Sequence, residues 1–233
     1  MSSRTNVLFG AVVLLLAGCH PAAPKGSVVL TEAPVGVPPP PAATVLDVRY
    51  PPGSRVVLLV PPFGTDTVRV LSGGLVAAGD PCVSWDGRWI YFAGKSSEQA
   101  DWQIYKVNAG GGRPQLVTHM PGGAMDPALA AHDELVFSSP VPKAGHLWTT
   151  PGAVAFYGQM PGQAPQRFTF GPDSAVSATV LRDGRILFVT VKPRDDRHAP
   201  RHLCLFTINN DGTEVTALPA RKTAWTLSGD RAN

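Results

Sequence analysis

Short apolar stretches separated by turn residues run through the middle of the chain. In DPCVSWDGRWIYFAG, residues 80–94, the pair Asp86-Gly87 stands between two strand-like runs. Glycine tolerates a positive φ and aspartate can bond to its own backbone, so this pair predicts a two-residue hairpin turn. The large apolar side chains that follow predict a strand at 89–93.

The residues after this hairpin continue the same pattern. A polar interval precedes a predicted strand at 103–107, a glycine-rich turn at 109–112 and a last strand at 114–118. Four short strands in succession with short turns between them predict one antiparallel meander.

The pattern recurs twice. A second unit begins at Asp126-Pro127 with His132-Asp133 in the turn position, and a third begins near Ser174 with Asp183-Gly184 in the turn. The units end alike, in RPQLVT, APQRFT and EVTAL, the last at Leu218. A four-stranded unit repeating every 40 to 50 residues or so is typical of β-propellers, whose small sheets stack radially. The sequence predicts an all-β chain with three such blades.

A part of a fourth blade is expected upstream. Residues 50–73 contain apolar runs that predict strands at 55–60 and 67–71, and the tail 221–233 could add one strand. Closed propellers usually have about four to eight blades. Three interpretations stay open: a minimal ring, an open ring that needs a partner, or a shortened relative of a longer protein.

The first unit resembles the TolB-like propeller repeat, which is also called WD40-like. That repeat combines a proline, an aromatic residue, an Asp-Gly turn, an apolar strand, an Ile-Tyr strand and a glycine pair before Leu-Thr. The matching residues are Pro81, Trp85, Asp86, Gly87, Ile90, Phe92, Ile104, Tyr105, Gly110, Gly111, Leu116 and Thr118.

A narrower resemblance covers about residues 75–218. SWDGRWIYFAG with WQIYKVNAGG, and VLRDGRILFV with LFTINNDGTEV, are similar to the propeller of hydrazine synthase alpha subunit-like proteins. The second unit is less similar, because Glu134 stands where the turn glycine belongs. The hydrazine synthase subunit uses covalent haem, and this sequence contains no C-x-x-C-H motif. The resemblance therefore implies the scaffold without the haem chemistry.

The N-terminus predicts export. Residues 1–19 combine one early arginine, an apolar run at 7–16 and small residues before Cys19, which is the pattern of a signal peptide. Leu16-Ala17-Gly18-Cys19 resembles the lipobox of bacterial lipoproteins, and this implies lipid attachment at Cys19 and a location in the cell envelope, facing the periplasm or the cell surface. An ordinary secretory signal with a chance cysteine, or an uncleaved anchor helix, are the alternatives.

Between the signal and the repeats, residues 20–44 predict a Pro-rich linker. Four consecutive prolines, at 38–41, favour an extended polyproline II spacer. The alternative is that this tract is a ligand for a partner domain. The propeller-like domain is expected to occupy residues 45–233.

Composition and charge add two limits. The chain has 24 glycines and 24 prolines, which suits many short strands joined by turns. Its formal net charge is +3 with no block of basic residues, so nothing indicates nucleic acid as a partner.

Candidate chemistry is sparse. Cys82 and Cys204 could pair in an exported protein, although two separate buried thiols are favoured. The loop at 194–202 could offer a metal two imidazole nitrogens and a carboxylate, but a solvated loop is favoured; its candidate ligands are Asp195, Asp196, His198 and His202. No other metal or cofactor motif is present, and no G-x-S-x-G indicates a hydrolase.

The repeated residues are interpreted as structural. Aromatic side chains at strand positions are expected in the core between blades; they are Trp85, Trp89, Phe92, Trp102, Tyr105, Trp148, Phe188 and Phe206. The turn pairs are expected to hold the hairpins and to take no part in catalysis; they are Asp86-Gly87, Asp183-Gly184 and Asp211-Gly212.

Two functions of different class follow from this sequence. The favoured one is a membrane-tethered, non-catalytic lipoprotein whose propeller binds a protein or another ligand. The alternative is an enzyme subunit related to the hydrazine synthase alpha subunit that needs a haem-bearing partner.

Overall fold

The computed structural model describes residues 22–38, 49–63, 67–141, 153–170, 174–191 and 203–218. Within these ranges the chain forms fifteen β-strands in four antiparallel sheets. Each sheet is a simple meander, in which strands that follow one another along the chain are neighbours.

The first sheet has three strands and the other three sheets have four each. The first consists of β1 (Val28–Glu32), β2 (Arg55–Leu59) and β3 (Val68–Val70). The second consists of β4 (Ala77–Val83), β5 (Trp89–Lys95), β6 (Gln103–Asn108) and β7 (Gln115–Leu116). The third consists of β8 (Met125–Leu129), β9 (Leu135–Pro140), β10 (Val154–Gln159) and β11 (Gln166–Arg167). The fourth consists of β12 (Ser174–Val180), β13 (Ile186–Val191), β14 (Leu203–Ile208) and β15 (Thr216–Ala217).

The three predicted units are confirmed as the second, third and fourth sheets. Their two middle strands pair in the same register, and a stacked aromatic pair crosses them at the same position in each sheet. The pairs are Phe92 and Tyr105, Phe137 and Tyr157, and Phe188 and Phe206, with ring centroids 6.3, 5.9 and 5.9 Å apart. The sequence repeat is therefore a structural repeat.

Successive sheets pack face to face through continuous apolar clusters. One cluster joins the first and second sheets around Phe92, the next joins the second and third around Phe137, and the last joins the third and fourth around Phe156. The first strands of the last three sheets lie next to one another and form the inner edge of the stack. Among the described strands, the first and fourth sheets make no extensive contact, so the four sheets form an open arc.

The linker prediction is wrong for residues 28–32. These residues form β1, which pairs with β2 from Val28 opposite Leu59 to Glu32 opposite Arg55. The run Val-Val-Leu-Thr has strand propensity of its own, and pairing with β2 half-buries its middle residues, which outweighs the proline content on either side. The prolines at 39–41 lie outside the described residues.

The partial fourth blade is the first sheet. The strands expected at 55–60 and 67–71 are observed as β2 and β3, and β1 adds a strand that the sequence did not predict. The tail 221–233 lies outside the described residues.

Most of the aromatic residues expected in the core are there. Phe92, Trp102, Tyr105 and Phe188 are buried, and Trp89 and Phe206 are half-buried. Trp85 is the exception, at 68% exposed. It stands in the hairpin turn, where its indole N–H reaches the Ala130 carbonyl at 3.2 Å but no sheet covers its ring. Trp148 lies outside the described residues.

Candidate functional site

The inner strands of the last three sheets share an irregularity at their centre. A β-bulge interrupts the pairing after Gly79 in β4, after Met125 in β8 and after Val176 in β12. The residue that enters each bulge has a left-handed backbone, with φ of 52° at Asp80, 51° at Asp126 and 58° at Ser177. Asparagine and aspartate adopt this conformation more readily than most residues do.

These three residues line one concave site of about 230 Å³ on the inner edge of the arc, which we call the axial site. Its wall consists of Arg49, Asp80, Pro81, Asp126, Pro127, Ser177, Ala178 and Thr179. Bulges commonly redirect side chains beside functional sites. Because the same bulge occurs in three neighbouring sheets, it brings three side chains that lie far apart in sequence to one place.

Arg49 and Tyr50 enter the axial site from the segment before β2. The Arg49 guanidinium lies 3.3 Å from the Asp80 carboxylate and 3.4 Å from the Asp126 carboxylate. The Tyr50 hydroxyl donates a hydrogen bond of 2.5 Å to Asp80. Its ring covers Gly79, where an added Cβ would stand only 2.6 Å from the ring carbons.

Asp126 is the more deeply buried carboxylate, with 8% of its side chain exposed against 20% for Asp80. Besides Arg49 it accepts a hydrogen bond of 3.3 Å from the backbone N–H of Ser177, which links the third sheet to the fourth. Each carboxylate therefore has a positive partner and a hydrogen-bond donor.

Burial is the largest cause of the pKa shifts of Asp80 and Tyr50. It raises the pKa of Asp80, and the neighbouring Asp126 adds to this rise, while the Tyr50 hydroxyl and Arg49 oppose it. Burial and the hydrogen bond to Asp80 raise the pKa of Tyr50 to about 12. At neutral pH Tyr50 is a hydrogen-bond donor that remains protonated.

This arrangement is chemically suited to cohesion and to polar recognition. Asp80 and Asp126 are held by Arg49, Tyr50 and the Ser177 N–H, so both carboxylates are engaged in contacts within the protein. Arg49 and the hydroxyl-bearing residues Ser177 and Thr179 form the exposed part of the wall.

A second concave surface lies between the outer turns of the third and fourth sheets. It encloses about 390 Å³, and Glu134, Arg167, Phe170 and Asp211 are among its lining residues. Phe170 is 75% exposed, and the Arg167 guanidinium lies over its ring at 4.9 Å from the centroid. Burial raises the pKa of Glu134.

The turn pairs named from the sequence lie in hairpin turns. In the first, the Asp86 carboxylate accepts hydrogen bonds from the Arg88 N–H at 3.0 Å and from the Ser84 hydroxyl at 2.6 Å. Asp183 accepts from the Arg185 N–H at 3.1 Å, and Asp211 from the Thr213 N–H at 2.9 Å. The glycines that follow have positive φ; they are Gly87, Gly184 and Gly212.

Other predicted positions are only partly described. Cys82 and Cys204 are both free and half-buried, and burial raises the pKa of the Cys82 thiol. Cys19 and the candidate metal loop at 194–202 lie outside the described residues. In the part of the chain that the structure describes, no group of three or more His, Cys, Asp or Glu side chains is placed to hold a metal ion. The same part contains no helix with the length and apolarity needed to cross a bilayer.

Sequence reasoning missed the axial site. A signal for it was present, because Asp-Pro occurs at 80–81 and again at 126–127, each pair at the head of a repeat unit. Arg49 and Ser177 carried no such signal, since Arg49 stands outside the units and Ser177 replaces the acidic residue in the third.

The comparisons with known proteins agree with this architecture. The sheets are propeller blades. In a superposition with hydrazine synthase from Kuenenia stuttgartiensis, the TM-score is 0.66 at 20% sequence identity, over 84% of this chain and 31% of that one. A putative TolB from Agrobacterium tumefaciens gives a TM-score of 0.54 at 16% identity, over 72% of this chain and 55% of that one. The predicted resemblance to both propellers is confirmed at the level of the fold.

The sequence comparison covers less of the chain. The alpha subunit of hydrazine synthase from Kuenenia stuttgartiensis is 34% identical over 81 residues, which are 35% of this chain and 10% of that protein. No family model matches the chain. The chain thus has a propeller fold similar to those of TolB and hydrazine synthase, and it matches about a tenth of the length of the curated relative.

Proposed function

We propose that this protein is a lipid-anchored lipoprotein of the bacterial cell envelope, whose propeller blades bind a partner without catalysing a reaction. The observation that carries the non-catalytic role is the axial site. Both of its carboxylates are engaged by Arg49, by Tyr50 or by backbone, and they link the second, third and fourth sheets to the segment before β2. The tether is supported by the lipobox-like residues 16–19.

The anchoring has a direct test at Cys19. Two or three acyl chains, each CH₂ contributing about 0.8 kcal/mol when buried, hold a protein stably on a membrane. We expect the wild-type chain to label with a palmitate analogue and to sediment with membranes, and Cys19→Ala to do neither. Cys82→Ala is the matched control and should behave as wild type. Labelling that survives in Cys19→Ala would contradict the proposal.

A second candidate is an enzyme subunit related to the hydrazine synthase alpha subunit that works with a haem-bearing partner. The observation in its favour is the 34% identity over 81 residues. A Soret absorption band in the protein purified from its native membranes would support this candidate against the first.

A further inference from the structure

The two ends of the arc expose positions that are buried everywhere else in it. The hydrogen bonds of the sheets identify these positions. Four residues each accept, on their backbone carbonyl, a hydrogen bond from the outermost strand or the residue next to it. They are Val56, Ile104, Phe156 and Leu205, one from each sheet.

At this position each sheet faces the next sheet along the chain. Val56 packs in the cluster shared with the second sheet, Ile104 in that shared with the third, and Phe156 in that shared with the fourth. All three are 0% exposed. Leu205 occupies the same position in the fourth sheet and is 47% exposed, and Leu203 on the same face of β14 is 52% exposed. The face of the fourth sheet that contains Leu203 and Leu205 therefore corresponds to the faces through which the other three sheets pack on the next sheet. Among the described residues, no sheet covers it. We call it the leading face.

At the opposite end of the arc, the first sheet exposes a position that faces the preceding sheet in the other three sheets. Ile90, Leu135 and Ile186 lie on the second strands of their sheets and pack in the clusters shared with the preceding sheets. They are 0%, 3% and 0% exposed. Val28 in β1 holds the corresponding position, because it pairs with Leu59 as Ile90 pairs with Val107. Val28 is 47% exposed.

This exposed surface of the first sheet, which we call the trailing face, is apolar. It consists of Val28, Leu30, Val57, Leu59, Val68 and Val70, which share one side of the three strands. Val57 at its centre is buried, whereas Val28, Val68 and Val70 around it remain substantially exposed. At each of the three internal interfaces, the face equivalent to the leading face packs against the face of the next sheet that is equivalent to the trailing face.

We propose that a second copy of this chain completes the arc head to tail, with the leading face of each copy packed on the trailing face of the other. This inference deepens the proposed binding role and rests on it, since it names the partner. The argument for a second copy is that one chain carries both halves of the blade-packing interface. Two arcs related by a two-fold axis satisfy both faces of both chains, and the resulting eight sheets lie within the usual range for closed propellers.

The two-fold axis of such a ring coincides with the axis around which the sheets stack. Both copies of β1 then lie on equivalent sides of the ring, so both N-terminal segments leave it in the same direction. This geometry suits two tethers in one membrane.

The test uses the full chain, purified from membranes in non-ionic detergent, with its mass measured by native mass spectrometry. We expect wild type to be a dimer. Leu205→Arg places a charge in the leading face and Val28→Arg places one in the trailing face, and each should lower the dimer fraction at least about tenfold. Leu116→Arg is the matched control: Leu116 is 42% exposed on the outer strand of the second sheet, away from both faces, and the dimer should persist.

Mixing the two charged variants tests the head-to-tail arrangement. The leading face of the Val28→Arg chain and the trailing face of the Leu205→Arg chain are both intact, so the mixture should form a heterodimer through one good interface although neither variant dimerises alone. In protein dilute enough to be monomeric, the melting temperatures of all three variants should stay close to that of wild type, because every substituted side chain is exposed in the single chain. This measurement shows that the variants are folded.

Three results would overturn the inference. They are a wild-type monomer at every concentration, a dimer that Leu205→Arg leaves intact, and charged variants that do not rescue each other. A folded monomer that still carries acyl chains at Cys19 would remove the second copy as partner while leaving the anchored binding role in place. Association only with a different propeller polypeptide would likewise exclude the second copy.

Discussion

At the scale of single residues, the axial site shows how charge is accommodated near the centre of an apolar stack. Asp126 is mostly buried, and a buried carboxylate without partners would be costly. Arg49 and the Ser177 N–H compensate it, and Tyr50 does the same for Asp80. Because Arg49 and Tyr50 come from outside the repeated units, the site fastens a non-repeated segment to the inner strands.

Tyr50 gives this network a pH dependence. Its pKa is about 12 in the folded chain against an ordinary value of 10.0. Below pH 10 the phenol is protonated whether the chain is folded or not, and its hydrogen bond contributes fully. Between about pH 10 and 12 the unfolded chain ionises first, so stability falls as pH rises.

We therefore expect Tyr50→Phe to lower the free energy of unfolding by about 1 kcal/mol at pH 8 and to flatten its decline above pH 10. Urea unfolding from pH 8 to 12 measures both effects. Tyr105→Phe serves as the control, because it removes a hydroxyl from a buried tyrosine that lies in the second sheet and outside the axial site. A decline in Tyr50→Phe as steep as in wild type would show that Tyr50 does not carry this dependence.

At the scale of elements, in each of the first three sheets a hydroxyl group just after the outermost strand accepts a backbone hydrogen bond from the neighbouring strand. The side chains of Ser72, Thr118 and Thr169 accept hydrogen bonds from the backbone N–H of Val56, Ile104 and Phe156, at 3.0, 2.8 and 2.8 Å. The outermost strands are short, so this bond continues the ladder beyond the point where the strand ends. The Thr in the repeated endings RPQLVT and APQRFT therefore has a structural cause.

Thr118→Val tests the hydroxyl closure. Valine has nearly the same shape, but it leaves the Ile104 N–H buried without its acceptor, and this should cost about 1 to 3 kcal/mol. Thr118→Ser keeps the hydroxyl and should lose less, although it removes a methyl group. Urea unfolding at neutral pH distinguishes the two. A larger loss in Thr118→Ser than in Thr118→Val would mean that the methyl group, and not the hydrogen bond, holds β7.

At the scale of the whole molecule, position in the arc decides what a residue contributes. Ile104 and Leu205 occupy equivalent sites in the hydrogen-bond pattern, yet Ile104 is enclosed between two sheets and Leu205 lies on the last one. The same element thus makes a core contact in one blade and a surface in another.

This difference predicts unequal effects of the same truncation. Ile104→Ala leaves a cavity between the second and third sheets and should cost about 2 to 5 kcal/mol. Leu205→Ala, measured in protein dilute enough to be monomeric, should cost about 1 kcal/mol because half of the side chain is already in water. Thermal or urea unfolding compares them. A loss in Leu205→Ala that matches Ile104→Ala under dilute conditions would mean that the leading face is covered within one chain.

Much of the element level could be predicted from the sequence because its signals are local. Asp86-Gly87 and Asp183-Gly184 specify hairpins through their own backbone preferences, and the recurrence of these turns predicted three blades with nearly the observed limits. The sequence did not predict β1 because prolines and glycines flank it on both sides and dominate the local pattern. Its partner strand β2, which stabilises it, is more than twenty residues away. Trp85 was misplaced because an aromatic residue beside a turn has the same local pattern whether or not a sheet covers it.

The sequence by itself determined the all-β class, the meander of each blade and the number of repeated units, because turn chemistry and alternation act over a few residues. Only the tertiary structure decided that three bulges bring Asp80, Asp126 and Ser177 to one site, that Arg49 joins them, and that the arc ends in two apolar faces. Those features depend on how sheets stack, and stacking is set by contacts between residues far apart along the chain.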